Sequence, residues 1–250
     1  PKGSSINITV GRDGKDGPMD LVLTRDTIKV KSVRSRLVEG DYGYIRIAQF
    51  QMSTGEDMVN SVQDLLEDNP DIKGLVLDLR NNPGGVLQAS VAVVDAFLEE
   101  GLIVYTEGRA PNSQVRFSAS EGDISSGLPL VVLINDGSAS ASEIVAGALQ
   151  DHKRAVIMGF KSFGKGSVQT ILPTGNGGAV KITTARYFTP SGRSIQATGI
   201  EPDIQLKRLK LEEIEASGYK AVKEADLSRH LSNGNKAKEQ AKEISDAKVS

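Results

Sequence analysis

The stretch Leu128–Lys153, "LPLVVLINDGSASASEIVAGALQDHK", decides how the chain is read. Its first half is a short apolar run ending at Ile134, of the kind found in strands buried on both faces. A turn of small and polar residues follows, and "SEIVAGALQDH" then has helical composition. "RAVIMG" (154–159) supplies a further strand immediately after. Strand, turn, helix and strand in this order is the crossover unit of an α/β sheet.

The same alternation extends upstream. "YGYIRIAQF" (42–50) alternates and is β-rich. "STGEDMVNSVQDLLEDNP" (53–70) places Met58, Val59, Val62, Leu65 and Leu66 at helical spacing, and Asn69-Pro70 ends it. "IKGLVLDLR" (72–80) is another buried-type strand, "NNPGG" (81–85) a tight loop, and "VLQASVAVVDAFLEE" (86–100) a second helix stopped at Gly101. "LIVYTEG" (102–108) reads as a strand, and "RAPNSQVRFSASEGDISSG" (109–127) as a polar, irregular excursion. Downstream, 166–195 is β-rich with Gly and Pro turns, and "GIEPDIQL" (199–206) continues it. Residues 207–250 shift to a charged composition with few large apolar side chains, which predicts a surface helical tail. At the other end, "SINITV" (5–10) and "MDLVLTRDTI" (19–28) flank a turn-rich segment and predict a β-hairpin.

Composition excludes several chemistries. The 250 residues contain no Cys and two His, so thiol catalysis, disulfides and His-rich metal sites are out of reach. A net charge of −2 gives no argument for nucleic acid. No apolar run reaches membrane-spanning length.

"GFKSFGKGS" (159–167) nearly spells a phosphate-binding P-loop. In that motif Ser or Thr follows the lysine and opens a helix. Here Gly166 follows Lys165, and "SVQTILP" reads as a strand, so the helix dipole that would hold phosphate is missing. Gly164 and Gly166 still mark a backbone that bends sharply or lets another group come close.

The serine cluster sits where α/β folds place their chemistry, between a strand end and a helix N-terminus. Unpaired N–H groups there can stabilise an oxyanion. Ser140 and Glu143 also have the S-x-x-E spacing of a capping box. A nucleophilic serine needs a proton acceptor. His152 lies roughly three turns along the same helix from Ser140, and His230 belongs to the charged tail. A lysine removed from bulk water can act instead, and Lys165 lies in the loop that follows the next strand. The third element, "DLRNNPGG" (78–85), also follows a core strand, and Gly84 and Gly85 can bring a backbone N–H toward a carbonyl.

Together, "GLVLDLRNNPGG", "VVLINDGSASASEIVAGALQDH", "FGKGSVQ" and "ARYFTPSGRSIQATGIEPD" resemble the carboxyl-terminal processing, or tail-specific, proteases over about Val33 to Leu206. The resemblance implies an α/β core like those of crotonase and the Clp peptidase, with a β-rich extension. It implies a serine endopeptidase that cuts proteins near their C-terminus with a Ser–Lys dyad. Ser140 would be the nucleophile, Lys165 the base, and Gln169 the residue that orients the lysine. The oxyanion hole would use the Ala141 N–H and a glycine N–H from Gly84 or Gly85, with Gly85 preferred. Gln169 stands at an even offset from Lys165, which on one extended strand would point both to one face. No metal or organic cofactor is implied. The implied substrates are proteins or peptides with flexible apolar C-terminal tails; an adaptor and a homo-oligomer are left open, and nucleic acid is not a partner. Export is implied, to a periplasm, cell envelope or organelle lumen.

The domain reading that follows is 1–32 as a partial PDZ remnant and linking strand, 33–206 as the protease core, and 207–250 as a charged helical tail. Residues 1–32 are too few for a complete PDZ domain, which in this family captures a substrate's carboxyl end along a sheet edge. Two competing functions remain: a catalytically inactive protease-like scaffold or peptide binder, and an acyl-CoA enzyme on the same core, for which nothing in the sequence would hold adenine or phosphates.

Overall fold

In a computed structural model of the chain, described over residues 1–14, 17–26, 31–109, 113–207, 222–228 and 230–231, the core is a six-stranded sheet. Its strands are β3 (Val33–Val38), β4 (Tyr42–Ile47), β5 (Gly74–Asp78), β8 (Leu130–Ile134), β9 (Val156–Gly159) and β12 (Ile204–Gln205), in the order β12-β9-β8-β5-β4-β3. β4, β5, β8, β9 and β12 run parallel, and β3 is the antiparallel edge.

The helices are α1 (Thr54–Asp68), α2 (Leu87–Asp95) and α3 (Ala141–Asp151). α1 buries Met58, Val62 and Leu65 as its spacing requires, with Val59 and Leu66 packed alongside. It lies against β3 and β4, α3 against β9, and α2 touches both helices. Ile45, Ile47, Leu77, Val132, Ile134 and Ile157 from the sheet meet Met58, Val93, Val94, Phe97, Val145 and Leu149 from the helical layer in one apolar cluster. β5 has four of its five residues buried, as expected for a parallel strand covered on both faces.

A second sheet has the order β10-β11-β6-β7, with β6 (Leu102–Gly108), β7 (Val115–Ser118), β10 (Ser167–Pro173) and β11 (Ala179–Phe188) all antiparallel. Here the structure differs from the sequence reading. The segment expected to be irregular contains β7, and "LIVYTEG" pairs in this second sheet rather than in the parallel one. The segment "GIEPDIQL", read with the extension, instead supplies β12 at the edge of the main sheet. α2 also ends at Asp95, short of Gly101: Phe97 and Leu98 close i→i−3 turns on Val94 and Asp95, which drives Phe97 fully into the core.

The chain divides into two compact units, Pro1–Lys31 and Ser32–Ser250. The first holds a hairpin of β1 (Ser5–Val10) and β2 (Met19–Thr24), paired in antiparallel register from Ser5↔Thr24 to Val10↔Met19. Most of the expected helical tail lies outside the described residues; within them, Glu224–Asp226 forms one 3₁₀ turn.

One buried charge fixes the exit from β5. Asp78 is completely buried and accepts from Tyr44 Oη (2.5 Å), Arg46 Nη1 (2.9 Å) and Arg80 Nη2 (2.7 Å), while its other oxygen accepts from the Arg80 N–H (2.9 Å). Burial alone would raise this carboxyl, but the donors of Arg80 and Tyr44 overcome it and hold it at about 2. A lowered pKa contributes stability that is present above the usual carboxylate value and lost as pH falls through about 2. Asp78→Asn should therefore cost roughly 3 kcal/mol at neutral pH, because it leaves the two guanidinium groups uncompensated. Urea unfolding of the two proteins at pH 7 measures this, and a difference under about 1 kcal/mol would make the network peripheral.

Candidate active site

Three segments of separate origin converge at the C-terminal end of the parallel sheet. They are the loop after β5, the turn from β8 into α3, and the loop from β9 to β10.

The three serines of the cluster have distinct environments. Ser138 is buried and donates to the Leu79 carbonyl (2.8 Å). Ser142 is buried and donates to the Asn82 carbonyl (2.9 Å). These two hydroxyls tie the α3 turn to the loop after β5. Ser140 is the half-exposed one, and no carbonyl among the described residues receives its hydroxyl. It is the N-cap of α3, at φ 56 and ψ −112. A positive φ at a non-glycine residue costs on the order of 1–3 kcal/mol and persists only where its surroundings enforce it.

Glu143 enforces it. This carboxylate is fully buried inside the first turn of α3. Its Oε2 accepts the N–H of Ser140 (2.8 Å) and the N–H of Lys165 (2.8 Å). Its Oε1 accepts Ser162 Oγ–H (2.6 Å) and the N–H of Gly164 (2.7 Å). A single oxygen thus joins the serine and lysine segments. The capping-box spacing is real, since Glu143 is the N3 residue of that box, but the side chain also organises a loop 21 and 22 residues away.

The Lys165 loop is held from its other side by the turn at 195–200. Ala197 N–H donates to Gly164 O (2.8 Å), and Ile200 N–H to Ser162 Oγ (2.6 Å). A Cβ on Gly166 would lie 2.3 Å from the Gln196 nitrogen, so this contact needs glycine. Lys165 is half-buried and makes no ion pair among the described residues. β10 begins two residues later, and no helix follows the lysine, which removes the P-loop reading structurally.

The glycine pair separates as well. Gly84, at φ +97, lies against the serine turn: a Cβ there would be 2.8 Å from Ser140 Cβ and 2.9 Å from the Ala141 nitrogen. Its own N–H is taken by Asn82 Oδ1 (2.9 Å) and its carbonyl by the Phe50 N–H (3.0 Å). The Gly85 and Ala141 N–H groups have no hydrogen-bond partner among the described residues. Asn82, fully buried, anchors the loop by donating to the Ile47 carbonyl (2.9 Å).

Gln169 stands apart from this constellation. Its side chain is exposed on β10, just past a register shift between Val168 and Gln169. Lys165 lies outside the strand, so the even-offset alternation does not align the two residues here. His152 Nε2 sits 2.7 Å from the Leu102 carbonyl at the far end of α3, and His230 Nδ1 sits 3.0 Å from the Leu227 carbonyl. Sequence reasoning had Glu143 only as a cap; the available signal was a carboxylate embedded in the otherwise apolar run "ASEIVAGAL".

Comparison with known proteins gives the family. The model of peptidase family S41 matches residues 41–206, and the chain belongs to that family. A carboxy-terminal-processing protease of Bartonella bacilliformis is 54% identical over 210 residues, spanning 83% of this chain and 48% of the relative. The carboxy-terminal processing protease of Bacillus subtilis is 34% identical over 205 residues, 82% of this chain and 43% of the relative. Among solved structures, a photosystem II D1 C-terminal processing protease superposes with a TM-score of 0.64 at 34% identity, over 82% of this chain and 56% of that one. The chain thus spans about half the length of the curated relatives it matches.

Burial pushes the Glu143 carboxyl up to about 7, against the opposing pull of its four donors. A raised pKa means that its contribution to stability is complete below the ordinary value of 4.5 and is lost as pH rises through about 7. The stability difference between the parent and Glu143→Gln, followed by chemical denaturation from pH 4.5 to 8, should therefore shrink as pH rises. A difference that stays flat or grows would show that the four donors outweigh desolvation.

Proposed function

We propose that this chain carries the catalytic core of a serine endopeptidase that cuts proteins near their C-terminus through an acyl-enzyme. Ser140 is the nucleophile and Lys165, in its neutral form, the base. The observation that carries the reading is the Glu143 oxygen shared by the N–H groups of Ser140 and Lys165, which brings the two segments together at a helix N-terminus.

In this mechanism Ser140 Oγ attacks the scissile carbonyl carbon while Lys165 Nζ takes the hydroxyl proton. The negative charge forming on the carbonyl oxygen meets the Ala141 N–H and a glycine N–H. The committed Gly84 N–H and the uncommitted Gly85 N–H favour Gly85 as that donor, with Gly84 giving Ser140 room. A donor of this kind is worth about 3 kcal/mol in other serine proteases. Lys165 then passes its proton to the leaving amine, and water releases the acyl group from Ser140. An orienting role for Gln169 requires its side chain to turn inward from the exposed position it has here.

The finer parts of the reading go with this one. The core is akin to crotonase and the Clp peptidase, and the N-terminal hairpin is part of a PDZ domain. Substrates are proteins with flexible apolar C-terminal tails, and the enzyme works after export to a periplasm, envelope or lumen.

Time-resolved intact-mass spectrometry tests the proposal on an unfolded protein with an apolar tail. The parent should shorten it from the C-terminal side, and Ser140→Ala and Lys165→Ala should each slow this by at least roughly 10³-fold while remaining folded. Cleavage that survives Ser140→Ala would rule out the nucleophile; a folded parent that cleaves nothing would favour the inactive-scaffold reading.

A further inference from the structure

The Lys165 loop has a second buried anchor, and it comes from the C-terminal side of the chain. Gln196 is fully buried. Its Oε1 accepts the Gly166 N–H (3.1 Å), the peptide directly after the lysine. Its Nε2 donates to Glu224 Oε1 (3.0 Å) and to the Leu231 carbonyl (3.3 Å). The partners fix the amide's orientation: one side offers an N–H, the other a carboxylate and a carbonyl, so a flipped amide would face like against like on both sides. Glu224 N–H also donates to the Phe163 carbonyl (3.3 Å). The described residues of the segment Val222–Leu231 therefore reach the loop at Phe163 directly, through Glu224, and at Gly166 by way of Gln196, on either side of Lys165.

We infer that Gln196 is a positioning residue for Lys165, and that the segment Val222–Leu231 is a strap whose seating on Gln196 sets the base loop. This rests on the proposed dyad. The bonds divide the work on the loop: Glu143 orients the N–H groups of Gly164 and Lys165 from the helix side, and Gln196 orients Gly166 from the strap side. Glycine at 166 gives Gln196 the close approach it needs, since any Cβ there would overlap its backbone. A buried amide with both ends engaged is costly to leave half-satisfied. Displacing the strap strips Nε2 of both partners shown here, and the cost falls on the residue that holds the base loop. Whatever binds or removes the strap would thereby tune the lysine without touching Ser140.

Exchanging the charge between the two ends provides the test. Gln196→Glu sets a carboxylate against Glu224 and removes the donor, while Glu224→Gln keeps an acceptor for Nε2. The double variant restores one bond with donor and acceptor reversed. Two readouts are taken on the full chain: hydrogen exchange of the Phe163–Gly166 amides, and kcat and KM per active site titrated with a fluorophosphonate. Gln196→Glu should lose roughly fivefold to tenfold of amide protection, the worth of one buried hydrogen bond. Its kcat should fall roughly 10- to 100-fold with KM unchanged, as expected for a misplaced catalytic group. Glu224→Gln should match the parent, and the double variant should recover part of both losses.

Unchanged protection in Gln196→Glu, unchanged kcat per titrated site, or no recovery in the double variant would each overturn the inference. Should Gln196→Glu not fold, Glu224→Ala applies the same test through protection: a loss supports the strap, and parental protection rejects it. If protection responds as expected while the parent neither cleaves nor labels at Ser140, the dyad reading fails and the positioning role with it, but the coupling of strap to loop stands.

Discussion

A buried carboxylate with four donors holds this site together. Glu143 costs energy to bury, and its four hydrogen bonds come from groups that sequence alone keeps far apart: its own helix turn, Ser162, Gly164 and Lys165. Each of those groups would otherwise be a buried or half-buried donor in need of an acceptor. The mutual dependence makes the arrangement unique. Rotating Glu143 away would leave three N–H groups and a hydroxyl without this partner, a far larger penalty than one net hydrogen bond. The strained backbone of Ser140 persists in that context, because its N–H points at the same oxygen as that of Lys165.

The loop after β5 is positioned by an analogous device, a second buried carboxylate. Asp78 is ionised and saturated by two arginines and a tyrosine, so the chain leaves β5 in a fixed direction. Ser138 and Ser142 then stitch that loop to the α3 turn, and the Asn82 side chain ties it to the end of β4. The outcome is two backbone N–H groups, on Gly85 and Ala141, that have no hydrogen-bond partner among the described residues. Preorganised donors of this kind are what an oxyanion-stabilising site requires, since no reorganisation is needed when charge develops.

Much of this was legible in the sequence. Short apolar strands alternating with helical segments identified the parallel sheet, because a strand buried on both faces must be apolar throughout and a crossover must return to the same edge. The serine cluster and the glycine loop could be located because each follows such a strand. Less legible were β6 and β7: antiparallel pairing in a separate sheet leaves no mark that distinguishes "LIVYTEG" from a core strand, and β7 is four residues with mostly exposed side chains. Which of the three serines stays accessible also was not readable from spacing; burial decides it, engaging Ser138 and Ser142 with carbonyls and leaving Ser140 half-exposed.

By itself, then, the sequence determined the segments β4, α1, β5, α2, β8, α3 and β9 and the family to which the chain belongs, because both rest on local periodicity and contiguous motifs. Only the tertiary structure decided that Glu143 is the hub of the site, that Gly84 packs against Ser140 while the Gly85 N–H stays uncommitted, and that Gln196 joins the C-terminal segment to the lysine loop. Those facts depend on contacts between residues such as Glu143 and Ser162, 19 positions apart, and Gln196 and Gly166, 30 apart. Hydrogen-bond satisfaction in a desolvated interior selects such contacts, and a linear pattern cannot encode which buried donor will meet which acceptor.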